Sequence, residues 1–172
     1  MKKTLALAVT AAFLATPAFA ADVKIGVLLG FTGPIESLTP DMASGAELAM
    51  KEASESGAFI GGSKIISVRG DSTCVDAAAA TATAERLITA DGVSAIMGAD
   101  CSGVTTAVLQ NVALAKGVVM ISPSATSPAL STVEDNGLFF RTSPSDARQG
   151  QVLAEILKEK GVKSAAISYT NN

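Results

Sequence analysis

The feature that most constrains this chain is a rhythm of short apolar runs, each followed by a polar turn and a helix-patterned segment. Val23 to Leu29, VKIGVLL, is almost continuously apolar, which suits a central strand covered on both faces. Ser63 to Arg69, Val93 to Met97 and Val118 to Ile121 repeat the theme. Between them, Asp41 to Ser56 puts Met42, Gly45, Ala46, Ala49, Met50 and Ala53 on one helical side before Gly57 stops it. Ser72 or Thr73 can cap a second helix running to about Ala90, and Ser102 sits where the N-cap of a third belongs. The order βαβαβαβ predicts an α/β fold, a parallel open sheet with right-handed crossovers and helices on both faces.

After Pro128 the rhythm changes. Leu138 to Arg141 reads as a short strand, a helix begins at Ser145 or Asp146 and stops at Gly161, and Val162 to Ser168 reads as one more strand. A buried strand with no following helix to cover it suggests that the sequence is a piece of something longer.

In an open parallel sheet, ligands sit beyond the carboxyl ends of the strands. Two such ends fall within Ala95 to Pro128: Asp100-Cys101-Ser102 and Ser122-Pro123-Ser124-Ala125-Thr126, small, hydroxyl-bearing and rich in main-chain donors. A serine that opens a helix offers its hydroxyl and nearby N–H groups to a carboxylate, helped by the helix dipole. The bland alternative is that Ser102 only caps its own helix. The juxtaposition of both turns favours half of a small-molecule site.

Composition narrows the function. Residues 1–20 carry Lys2 and Lys3, an apolar stretch from Leu5 to Leu14, and small residues at Ala18-Phe19-Ala20, the pattern of a cleaved export signal. That apolar stretch is too short to span a bilayer, so no membrane insertion is expected after cleavage. Without the leader, 11 basic residues stand against 16 acidic ones, a net −5, and no Lys/Arg cluster suits nucleic acid. Cys74 and Cys101 are the only cysteines; an even number in an oxidising compartment favours a disulfide over two free buried thiols.

The chain has no histidine, which excludes Ser-His-Asp and Cys-His catalysis and His-containing metal sites. Gly30-Phe31-Thr32-Gly33-Pro34 lacks the Gly-Lys-Ser/Thr of a P-loop and the three-glycine spacing of a dinucleotide fingerprint. Asp71, Asp76 and Asp100 lack calcium-loop spacing and read as solvated strand-end carboxylates. Arg69-Gly70-Asp71 reads as a coincidental match to an adhesion tripeptide. Neither an enzyme, a metal nor a cofactor is expected.

Several separated motifs together carry a resemblance. Ile25-Gly26-Val27-Leu28-Leu29 followed by Thr32-Gly33-Pro34, then Asp71-Ser72-Thr73-Cys74, Gly98-Ala99-Asp100-Cys101-Ser102, Ile121 to Pro128, Phe140-Arg141-Thr142 and Gln149-Gly150 resemble periplasmic solute-binding proteins of the Leu/Ile/Val-binding type. The resemblance implies a type I periplasmic binding fold, with residues 21–140 as an incomplete first lobe and 141–172 as the hinge crossing and start of a second. It implies a periplasmic protein that closes on an amino acid or related small carboxylate and delivers it to the permease of an ABC importer. A ligand-sensing domain of a receptor or regulator shares the fold and stays open as an alternative. It further implies that Ser102 and Thr126 bind the ligand carboxylate, that the Ser124 carbonyl and Ala125 main chain hold the ammonium end, and that Cys74 and Cys101 form a disulfide. Where branched-chain binders place an aromatic in the first turn, this chain has Leu38, with Pro40 beside it, so the side-chain pocket is expected to differ.

Overall fold

The computed structural model describes residues 21–168; the leader reading of 1–20 lies outside them. Five strands, β1 Val23–Leu29, β2 Ile65–Asp71, β3 Ala95–Gly98, β4 Val119–Ser122 and β5 Phe139–Arg141, form one sheet. All neighbours are parallel, in the order β2-β1-β3-β4-β5. The rhythm of apolar runs therefore became the predicted α/β sheet, with β1 in its interior.

Helices cover both faces because strand side chains alternate. Val27 and Leu29 point toward α1, Thr39–Glu55, and pack with Ala43, Met42, Met50 and Met97. Leu28 points the other way, into a larger core with α2, Ala77–Thr89, and α3, Ser102–Val108. The helical run of α3 continues through a π-helical turn, Leu109–Ala113, into α4, Leu114–Lys116. Leu28, Leu87, Ile96, Val108 and Met120 are wholly or almost wholly buried. Each contributes about 1.5–3 kcal/mol relative to an exposed position. Covering of the α1 face ends at the middle of the sheet: on that face Ile121 and Phe140 remain 44% and 52% exposed.

Several local expectations are corrected. Helix α1 starts at Thr39, two residues before Asp41, with Pro40 in its first turn, where a missing N–H costs nothing. Thr39 Oγ1 donates to the Gly30 carbonyl at 3.0 Å instead of leaving that group to water. Neither Ser72 nor Thr73 caps α2; Asp76 does, accepting from the Ala78 and Ala79 N–H groups at 2.9 and 3.0 Å. Ser72 is buried and engaged elsewhere, and Thr73 and Cys74 have φ of 58° and 69°, which turns the chain before the helix begins. Val162 to Ser168 is not a strand: it follows helix α5, Asp146–Glu159, is exposed, and has no partner strand among the described residues. The Arg69-Gly70-Asp71 tripeptide lies inside β2, with Gly70 buried and Arg69 held by Glu47 of α1 through two 2.7 Å hydrogen bonds.

Two glycines set how closely the strand ends approach. Gly98 ends β3 with φ 137°, and a Cβ there would lie 2.0 Å from the Leu28 carbonyl oxygen. At Gly30 a Cβ would crowd Cys74 and the Asp100 carboxyl group at 3.2 Å. Among the described residues no helix is long and apolar enough to cross a membrane.

Candidate functional site

The turns after β1, β3 and β4 meet beyond the carboxyl edge of the sheet and enclose an open cleft of about 520 Å³. Ile35, Leu38 and Met42 form one side; Asp100, Cys101, Ser102, Ser124, Thr126, Ser127, Pro128 and Asp146 form the rest. Leu38 is 58% exposed at the entrance to α1, so its side chain is free to meet a ligand.

The turn after β3 is built around a covalent brace and a buried carboxyl group. Cys74 and Cys101 are bonded, with a Cα–Cα distance of 5.2 Å, as the resemblance implied. Asp100 is only 2% exposed and not the solvated strand-end group the sequence suggested. Its Oδ2 accepts the Gly30 N–H at 2.6 Å, and its Oδ1 accepts Ser72 Oγ at 3.1 Å and the Cys101 N–H at 2.9 Å. Three donors from three turns compensate its removal from water.

Ser102 occupies a different position from the one expected. Cys101 takes the extended N-cap conformation, without a side-chain cap, and Ser102 is the first helical residue. The hydroxyl instead accepts the Ser127 N–H at 3.1 Å, across to the turn after β4. A hydroxyl that accepts one bond keeps its proton to donate. The first N–H groups of the helical run beside it have no intrahelical acceptor and carry the positive end of the dipole.

In the turn after β4, Ser124 and Thr126 line the cleft while Ala125 between them is fully buried. Ala125 donates its N–H to Ser122 Oγ at 3.0 Å, and its carbonyl accepts from Arg141 Nη1 and Ser143 Oγ, each at 3.2 Å. Its main chain is thus occupied in holding the turn. Arg141 Nη1 also donates to the Ser127 carbonyl at 2.8 Å, so a single guanidinium nitrogen bridges the carbonyls on either side of Thr126. Among the described residues the Ser124 carbonyl and the Thr126 N–H make no hydrogen bond.

Asp146 was read from sequence only as a helix start. The fold brings it to Thr126: its N–H donates to the Thr126 carbonyl at 2.9 Å, and Thr126 Oγ1 donates to its Oδ2 at 3.0 Å. No local signal marks it, since its partner lies 20 residues earlier. The sequence does not single out Ile35 and Met42 for the cleft either; Met42 reads only as part of the apolar side of the first helix. Nearby, burial pulls the Asp71 carboxyl upward, but hydrogen bonds from Thr32 Oγ1 and from the Thr73 and Thr32 N–H groups outweigh it and hold its pKa below the ordinary value.

Sheet order, helix placement and a cleft at the carboxyl edge define one lobe of a type I periplasmic binding protein. The chain belongs to the periplasmic binding protein family, whose model matches residues 22–172. It is 33% identical over 158 residues to a Leu/Ile/Val/Thr-binding protein of Salmonella typhimurium, covering 92% of this chain and 42% of that protein. The substrate-binding protein LivJ of a branched-chain amino acid transporter from Streptococcus pneumoniae, solved with isoleucine, superimposes with a TM-score of 0.72 at 31% identity, over 81% of this chain and 38% of that one. A solute-binding protein of an ABC transporter from Rhodopseudomonas palustris, solved with 3,4-dihydroxybenzoic acid, shares the fold with a TM-score of 0.71 at 22% identity, over 83% and 37%. The chain thus spans less than half the length of these relatives.

Proposed function

We propose that this chain supplies the first lobe and hinge of an exported substrate-binding protein of an ABC importer, and that its ligand is an α-amino acid with an aliphatic side chain. The observation that carries the reading is the division of polarity in the cleft. Ser102 Oγ, the first N–H groups of the helical run and the Thr126 N–H are donors suited to a carboxylate. The Ser124 carbonyl, Thr126 Oγ1 and the Asp146 carboxyl group are acceptors suited to an ammonium group. Ile35, Leu38 and Met42 offer an apolar wall without an aromatic ring. Thr126 therefore serves both ends of the ligand, its N–H one and its hydroxyl the other, and Ala125 acts only by holding its neighbours in place.

In this reading residues 1–20 are removed on export to the periplasm, 21–140 form most of the first lobe, and 141–172 cross the hinge into the second. Function is closure around the ligand and delivery to a permease, with no chemical step. Calorimetry of the full-length protein with L-leucine, L-threonine, 4-methylpentanoate and benzoate tests it. Heat with L-leucine and much weaker binding of 4-methylpentanoate, which lacks only the ammonium group, is the expected result. Benzoate binding with no response to either amino acid would overturn the amino acid assignment.

A further inference from the structure

We propose that Asp100 is a positioning residue for the cleft: its buried carboxylate holds the turns after β1, β2 and β3 in one register and thereby fixes where Ser102 points. Asp100 lines the cleft, but among the described residues it makes no hydrogen bond to the atoms assigned to the ligand. It binds what carries them. Through Oδ2 it holds Gly30, whose carbonyl is gripped by Thr39 at the start of α1, so the wall bearing Leu38 and Met42 is referred to this one carboxylate. Through Oδ1 it holds Ser72, two residues before Cys74, and the N–H of Cys101. Its own carbonyl accepts Ser124 Oγ at 3.0 Å, which adds the turn after β4.

The bond to the Cys101 N–H is the decisive link. Cys101 is extended, with φ −86° and ψ 136°, and the next residue is already helical. Ser102 Oγ then reaches the Ser127 N–H. A carboxylate accepts at both oxygens, whereas an asparagine of the same shape must place its NH2 either against the Gly30 N–H or against the Cys101 N–H. Asp100→Asn thus preserves volume and breaks the register. Among the described residues Asp100 has no cationic partner, so the donors from the turns are what hold it.

The test has two arms in the full-length protein, because the consequence for affinity rests on the amino acid reading and the geometry does not. In the first arm, amide hydrogen exchange is followed by NMR at Gly30, Cys101 and Ser127. Asp100→Asn is expected to accelerate all three, although the Ser127 N–H is bonded to Ser102 and not to Asp100. Leu87→Ala, a buried change in α2 away from the cleft, serves as a comparison of reduced stability and is expected to spare Ser127 selectively. In the second arm, L-leucine is titrated, and Asp100→Asn is expected to weaken it by about tenfold or more. If the wild-type protein gives no heat with L-leucine, the proposed ligand fails and the exchange arm alone decides the role of Asp100. Faster exchange at Gly30 and Cys101 with Ser127 unchanged, or equal loosening of Ser127 by Leu87→Ala, overturns the proposal. Should Asp100→Asn not fold, Ser72→Ala removes one donor only and is expected to loosen the same three amides less strongly; protection unchanged at all three overturns it.

Discussion

Ser102 Oγ accepts the Ser127 N–H at 3.1 Å, joining the turn after β3 to the turn after β4 by a bond that neither turn makes within itself. Those turns are 25 residues apart in sequence and adjacent only because β3 and β4 are parallel neighbours. The bond gives one side chain a structural acceptor role and leaves its proton free to donate. Ser102→Ala removes both. The expected cost is about 1 kcal/mol of stability from the lost acceptor, read by denaturant unfolding. The loss of carboxylate affinity is expected to be about 1.5–3 kcal/mol, for L-leucine and 4-methylpentanoate alike, read by calorimetry. Affinity unchanged in a folded variant would mean that Ser102 serves the lobe alone.

Asp146→Asn separates the two ends of the ligand. It removes a charge from the acceptor side while the amide oxygen can still receive the Thr126 hydroxyl. L-leucine is expected to lose about 1.5–3 kcal/mol and 4-methylpentanoate to lose nothing or to bind more tightly, since a like charge has gone. Equal weakening of both would show that Asp146 only shapes the turn.

The Cys74–Cys101 bond closes a loop of sequence separation 27. Chain-entropy arithmetic for that loop gives about 3.5 kcal/mol of stabilisation. Cys74→Ser with Cys101→Ser is expected to lower Tm, and a reducing agent is expected to do the same to the wild type but not to the double variant. A melting point indifferent to both treatments would contradict the brace.

Asp71 gives the lobe an acid-sensitive joint between the turns after β1 and β2. Its carboxyl accepts Thr32 Oγ1 at 2.5 Å and the Thr73 N–H at 2.8 Å, and its folded pKa lies below its unfolded one. A depressed carboxylate stabilises fully above the unfolded pKa of about 4, and the contribution is lost as pH falls through the folded value. The Tm difference between wild type and Asp71→Asn is therefore expected to be largest near neutral pH and to shrink below about pH 4. A difference that stays constant with pH would locate the stabilisation in packing instead of charge.

The strand rhythm was legible because each run answers to a local rule. A run such as Val23–Leu29, apolar except for Lys24, suits the interior of a sheet covered on both sides, and the glycines at 57, 92, 117 and 161 end helices through their own backbone freedom. Val162 to Ser168 failed under the same rule. Its composition suits a strand, but a strand needs a neighbour, and none lies beside it among the described residues. Asp100 failed for a related reason: a carboxylate at a strand end is solvated by default, and only the convergence of Gly30, Ser72 and Cys101 makes burial tolerable.

By itself the sequence determined the α/β class, the carboxyl-edge location of the cleft, and Ser102, Ser124 and Thr126 as its small polar wall. Periodicity and turn chemistry act within a few residues, so they are written in order along the chain. The tertiary structure decided the pairing of Ser102 with Ser127, the arrival of Asp146 at Thr126, the inward turn of Asp100, and the withdrawal of Ala125 from the cleft. Each of these joins positions separated by a whole βα unit or more, or depends on which groups such a crossing brings alongside. Only closing the parallel sheet brings those positions within hydrogen-bond reach.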